Sequence, residues 1–157
     1  MNIKLLPYTS RSTVPIASVS PVSITPGTRA QKPYPPGKVQ VNGQYWPDGG
    51  YLGAVDAVLT WAHRNRRAQA GWAVVAQDAA SIAAGPEGTC TVEVLLAGAV
   101  KQTQTGITST SYTYTLAQRT LDDADLTKSV QFRITPVNGS LSGVPRTTDA
   151  FIMQAAP

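Results

Sequence analysis

The sequence predicts an all-β protein: a β-sandwich of about seven short strands behind an extended N-terminal arm. Three observations carry this. From about residue 36 onward, apolar and polar residues alternate in short runs separated by Gly, Asn and Pro, the period-two pattern of half-buried strands. The 13 Gly and 12 Pro among 157 residues argue against a helical bundle, and 42% hydrophobic against 14% charged residues argues against a disordered chain. Eight of the twelve prolines fall in the first 47 residues, where each removes a backbone donor and biases its predecessor toward extended geometry.

Residues 1–35 are read as the arm. Pro7, Pro15, Pro21, Pro26, Pro33 and Pro35 exclude a helix or a central strand. Ile3, Leu5, Leu6, Val14, Ile16, Val19, Val22 and Ile24 recur between them and gain by burial. The arm is therefore expected to lie along a partner or along its own domain, with a flexible tail as the plain alternative.

The domain, 36–157, is expected to open with a strand over 38–42, where Val39 and Val41 share a face and Asn42-Gly43 turns the chain. A second strand, 55–62, places Val55, Ala57, Leu59 and Trp61 on one apolar face, and Trp61 is expected to anchor the core. Val92, Val94 and Leu96 define a third before Gly98. Residues 101–105, rich in Thr and Gln, read as a polar edge strand closed by Gly106. Residues 111–116 put Tyr112, Tyr114 and Leu116 on one face, and Val130, Phe132 and Ile134 do the same ahead of Asn138-Gly139. The last run, 150–154, carries Phe151, Ile152 and Met153. Periodicity does not separate two packed sheets from a small closed barrel, which stays the other closure. The connection 64–88 breaks the pattern. Its Ala-rich part, 77–84, is expected to form about two helical turns ended by Gly85-Pro86, and a loop of this length is uncommon without a role.

Charge is unevenly placed. Residues 1–47 hold Lys4, Arg11, Arg29, Lys32 and Lys38 and no acid, whereas the remainder has eight basic against nine acidic side chains. The overall +4 thus belongs to the arm. A nearly neutral domain offers no broad basic face to nucleic acid, and five cations over 47 residues are too sparse for a nucleic-acid arm. Pro7 and the polar residues after it stop the apolar opening, so no secretion signal is readable. The apolar runs around 55–62 and 92–100 fall well short of the ~20 residues of a membrane span. One Cys excludes an intrachain disulfide, and one His excludes the common His-based zinc geometries. No cofactor is implied.

Two sets of residues carry a resemblance. The segment 35–41, Val58-Leu59-Thr60-Trp61, the Tyr112/Tyr114 strand, and Phe132-Arg133-Ile134-Thr135-Pro136-Val137-Asn138-Gly139 followed by Ser142 and Pro145 resemble an immunoglobulin-like fibronectin type III domain over about residues 36–155. More narrowly, Arg29-Ala30-Gln31-Lys32-Pro33-Tyr34-Pro35-Pro36-Gly37 followed by Leu59-Thr60-Trp61-Ala62-His63-Arg64-Asn65-Arg66 is similar to runs in tail-tip and baseplate proteins of tailed bacteriophages. There the module usually ends a much longer polypeptide, so this chain is expected to be either a short independent product or a fragment. The resemblance implies a virion structural protein without enzymatic activity, made in the host cytoplasm, contacting other tail proteins and present in several copies. The competing class is a module that recognises a glycan or protein on the host surface.

Candidate residues follow from chemistry. His63 is the one candidate general base, but Arg64, Arg66 and Arg67 surround it where catalysis needs a nucleophile and an orienting acid, so it is read as structural. Cys90, between Thr89 and Thr91, is read as a small buried residue rather than a nucleophile. Arg64, Arg66 and Arg67 form the densest positive cluster, suited to acidic groups on a partner or to Asp78 and Glu87 in the same loop. Asp122, Asp123 and Asp125 lack the glycine and terminal Glu of an EF-hand loop and read as a polar loop or a helix-start cap. Tyr45, Trp46 and Tyr51 flank an aromatic-rich turn that suits an interface or a sugar face. The expected partner contacts are Arg11, Arg29, Lys32 and Tyr34 from the arm and its junction, and Trp46, Tyr51, Arg64, Arg66, Arg67 and Trp72 from the domain.

Overall fold

The chain divides by its internal contacts into two compact units, Met1–Gln31 and Lys32–Pro157. The structure, a computed structural model, describes residues 2–5, 14–23, 31–69, 74–82, 85–124 and 126–155. In the first unit, β1 (Asn2–Ile3) pairs antiparallel with β2 (Val22–Ser23), placing Ile3 opposite Val22. A single 3-10 turn, Ile16–Ser18, follows Pro15, and the Lys4 ammonium donates to the Ile16 carbonyl at 2.9 Å. The arm is thus not extended throughout: its β-branched residues close a short ladder that the prolines stay out of.

The second unit contains β3 (Gly37–Val41), β4 (Ala57–Ala62), β5 (Thr89–Leu96), β6 (Ala99–Ile107), β7 (Ser111–Tyr114), α1 (Leu116–Asp122), β8 (Val130–Asn138), β9 (Leu141–Ser142) and β10 (Arg146–Thr147). One sheet has the order β3-β4-β7; the other runs β10-β8-β5-β6, with β9 also on β8. Each pairing is antiparallel.

Alternation decides which side chains face inward. Val41, Leu59, Trp61 and Tyr114 from the first sheet join Val92, Val94, Phe132 and Ile134 from the second in one buried cluster. Phe132 spans the two sheets. Its ring lies edge-on to Tyr112 and Tyr114 at 6.3 and 6.4 Å and tilted against Phe151 at 5.8 Å, geometries that aromatic quadrupoles favour. The polar face of the second sheet carries Glu93 opposite Arg133, joined by two hydrogen bonds of 2.6 and 2.9 Å.

Four expectations need correction. Val55 is exposed, and the second strand begins at Ala57, where the Asn42 side chain accepts from the Val58 amide at 2.7 Å and sets the entry. The 150–154 run is not a full strand: Phe151 bridges Val130 and Ile152 bridges Tyr51, while β10 takes the place beside β8. Phe151 and Met153 nonetheless enter the core. No helix forms among the described residues of 77–84, because the carbonyls of that stretch turn toward a side chain, as shown below. Conversely, α1 forms where a strand end was expected. Thr115 caps it by accepting from the Gln118 amide while the Gln118 side chain accepts from the Thr115 amide, a reciprocal capping box. Asp122 and Asp123 therefore stand at the end of a helix rather than its start, and Asp125 lies outside the described residues.

Candidate functional site

The residues expected to be functional gather chiefly where the 64–88 connection leaves β4. Arg64, two residues past the end of that strand, turns inward, with only 9% of its surface exposed. Its guanidinium donates to the carbonyls of His63, Ala76, Gln77, Ala79 and Ala80 at 3.0–3.2 Å. These carbonyls converge on one side chain instead of pointing along a common axis as a helix requires, and the Ala-rich stretch stays out of a helix. Gly37 makes the arrangement possible: a Cβ there would overlap the guanidinium. The connection is further pinned to the start of β3 by the Lys38 amide donating to Gln77 at 2.6 Å and by Gln77 donating to Pro36. Burial lowers the Arg64 pKa, and the charge of Asp78 opposes this. Arg64, expected to meet a partner, is an internal clamp.

Arg66 pairs with Glu87 at 2.5 Å, and the Glu87 carboxylate also accepts the Arg66 amide. Arg67 is exposed, with its amide held by the Asn65 side chain. Lys32 is exposed and Tyr34 half open at 46%, while Trp72, Arg11 and Arg29 lie outside the described residues.

A narrow cleft joins the junction to this loop. Pro33, Tyr34 and Pro36 line it together with Trp61, His63 and Arg64. Glu87 and Cys90 line it too, so His, Cys and a carboxylate belong to one cleft. Their chemistry does not favour catalysis. Burial lowers the His63 pKa and raises that of the Cys90 thiol, leaving a neutral imidazole and a protonated sulfur. The Trp61 indole N–H lies beside that thiol, a weak acceptor, and makes no well-formed hydrogen bond. Glu87 is committed to Arg66. The cavity is about 20 Å³, room for roughly one water.

A second group stands elsewhere. Tyr45 and Trp46 are 54% and 44% exposed. Tyr51 is half-buried and tied to the C-terminal segment, since the Leu52 amide donates to Ile152 and the Ile152 amide to Gly50. Tyr45 lines an open hollow of about 210 Å³ with Val39, Arg146, Thr147, Thr148 and Asp149. Among the described residues no three of His, Cys, Asp and Glu converge as a metal site would require. Asp122 accepts from Tyr114 and Gln102, both at 2.7 Å, while Asp123 pairs with Arg119 and Lys128.

Arg119 went unread in the sequence although it is fully buried. Its guanidinium donates to the carbonyls of Asp123 and Lys128 and pairs with Asp123 at 3.0 Å. The capping-box spacing Thr115 to Gln118, with Asp123 four residues after Arg119, was the available signal. No protein-family model matches the chain, and no curated protein matches it in sequence. No helix among the described residues is long and apolar enough to cross a membrane.

Proposed function

We propose that the chain is a non-enzymatic structural component of a bacteriophage tail tip or baseplate, a fibronectin type III-like sandwich that docks onto neighbouring subunits through its arm. The observation that carries the reading is a shared cleft. The two runs that resemble tail-tip proteins, 29–37 and 59–66, are far apart in sequence, yet Pro33, Tyr34 and Pro36 of the first and Trp61, His63 and Arg64 of the second line the same cleft. Gly37 of the first leaves space for Arg64 of the second. The strand partition supports the sandwich assignment. Counted within the second unit, the first, second and fifth strands share a sheet, and the fourth pairs with the third, unlike the constant-type immunoglobulin arrangement in which the fourth joins the first and second.

The arm supplies docking material. Leu5, Val14, Ile16 and Val22 are exposed, and covering them on a neighbouring subunit is favourable by the ordinary hydrophobic effect. Ordering it costs entropy at assembly, which repeated copies in a particle offset. Because Pro33 and Pro36 belong to the cleft, the separable part is Met1–Gln31. Deleting those residues is expected to leave the second unit folded and to abolish incorporation into particles; unaltered incorporation would overturn the reading.

One observation favours host recognition instead. The Tyr45 hollow combines an aromatic ring with Arg146 and Asp149, the mixture of flat apolar face and hydrogen-bonding groups that suits a sugar. Binding of the purified protein to a glycan array, lost in Tyr45→Ala, would support it. The 64–88 connection contributes less to that surface, since Arg64 draws residues 76–80 inward.

A further inference from the structure

We propose that β6 is a self-association edge: two copies of the chain pair their β6 strands antiparallel about a two-fold axis through Thr103, joining their larger sheets into one. Among the described residues the strand is bonded on one side only, to β5. It is nine residues long and exposed over most of its length, whereas the other edges of the two larger sheets are β9 and β10 with two residues each, β7 with four and β3 with five. An open row of amides and carbonyls of this length is a template for another strand. Proteins blunt such edges with proline, charges or bulges; β6 has no proline and one charged residue, Lys101, and its two register shifts against β5 lie on either side of 102–104, which stays in regular register around Thr103.

The sequence of β6 fits itself. Antiparallel pairing about a two-fold axis requires one residue to face its own copy. Only an axis through Thr103, the midpoint of Ala99–Ile107, overlaps all nine residues. That register sets Lys101 opposite Thr105 of the second copy and Gln102 opposite Gln104 of the second copy, with Thr103 meeting Thr103. No like charges oppose each other, and Thr–Thr pairs are favourable cross-strand partners. An axis at Lys101 would oppose two lysines and shorten the overlap. Thr103 also continues an existing row: Arg133 pairs with Glu93, and Glu93 with Thr103, so the outer face would run Arg-Glu-Thr-Thr-Glu-Arg across the two copies. On the inner side, Gln102 is already oriented by Asp122 and Tyr112, which fixes the strand before a second copy arrives.

The proposal does not depend on the tail assignment, and either can fail without the other. The test uses the full chain. Light scattering after size exclusion is expected to show a concentration-dependent dimer. Thr103→Cys, oxidised with a copper catalyst in air, is expected to give a covalent dimer whose link maps by peptide mass spectrometry to the introduced thiol. Thr105→Cys is the control, because its two thiols would sit about four residues apart along the ladder, roughly 13 Å, beyond the reach of a disulfide. Both sites are exposed, so neither variant should disturb folding. Equal or preferential linking of Thr105→Cys would refute the register, and a monomer at all concentrations with no linking of Thr103→Cys would refute the edge.

Discussion

Arg64 serves the protein as a main-chain clamp: one guanidinium reaches five carbonyls, of which those of His63, Ala76 and Gln77 also accept backbone amides. Replacing it with Met removes the donors and leaves those acceptors, so Arg64→Met is expected to lower stability by about 2–4 kcal/mol, read by urea denaturation, and to speed proteolysis near residues 76–80. Lys should not rescue it, since an ammonium lacks the planar fork. Two groups tie stability to acid. Burial depresses the His63 pKa, so the stability it contributes is present above the ordinary histidine value and falls away as the pH drops below it. Glu93 is held below the usual carboxylate range first by its hydrogen bonds to Arg133, so its contribution is present above the unfolded value and is lost as the pH falls through the folded one. Glu93→Gln is expected to flatten the more acid limb of the stability curve while costing no more than about 1 kcal/mol at neutral pH, the partners being partly exposed. Burial raises the Cys90 pKa and closes its access, so a thiol reagent at pH 8 is expected to react only on unfolding.

At the scale of elements, α1 depends on its cap. Thr115→Ala removes the side-chain half of the capping box and is expected to cost about 1 kcal/mol, and Phe132→Ala, which empties the aromatic contact between the sheets, about 3–5 kcal/mol; thermal or urea unfolding checks both. Strands were legible wherever burial alternates. Ala57, Leu59 and Trp61, or Val130, Phe132 and Ile134, write their face directly into the sequence. What escaped was decided by contacts that periodicity does not encode. Ala79, Ala80, Ala83 and Ala84 favour a helix locally, yet the distant Arg64 side chain binds the carbonyls of Ala79 and Ala80. The 150–154 run has strand composition, but its backbone is divided between Val130 and Tyr51. The one α-helix among the described residues is seven residues long, too short for a helical period to stand out, and only its cap announced it. The candidate site was read in part: the residues of the arginine cluster were visible, but that one would face inward, and one would pair with Glu87, required the fold.

Taken whole, the chain joins a nearly neutral β unit to an acid-free arm, and its contacts divide it between Gln31 and Lys32. Just past the division, Pro33, Tyr34 and Pro36 line the cleft with Trp61. That division matches a protein whose folded part is built before assembly and whose arm finds its cover on a neighbour. The central claim, that the arm docks on other virion subunits, is tested most directly by limited trypsin digestion with mass spectrometry on the purified chain and on intact particles, following cleavage after Arg11 and Arg29. The account predicts rapid cleavage of the isolated chain and protection within particles. Equal cleavage in both, or particles from which the chain is absent, would contradict it.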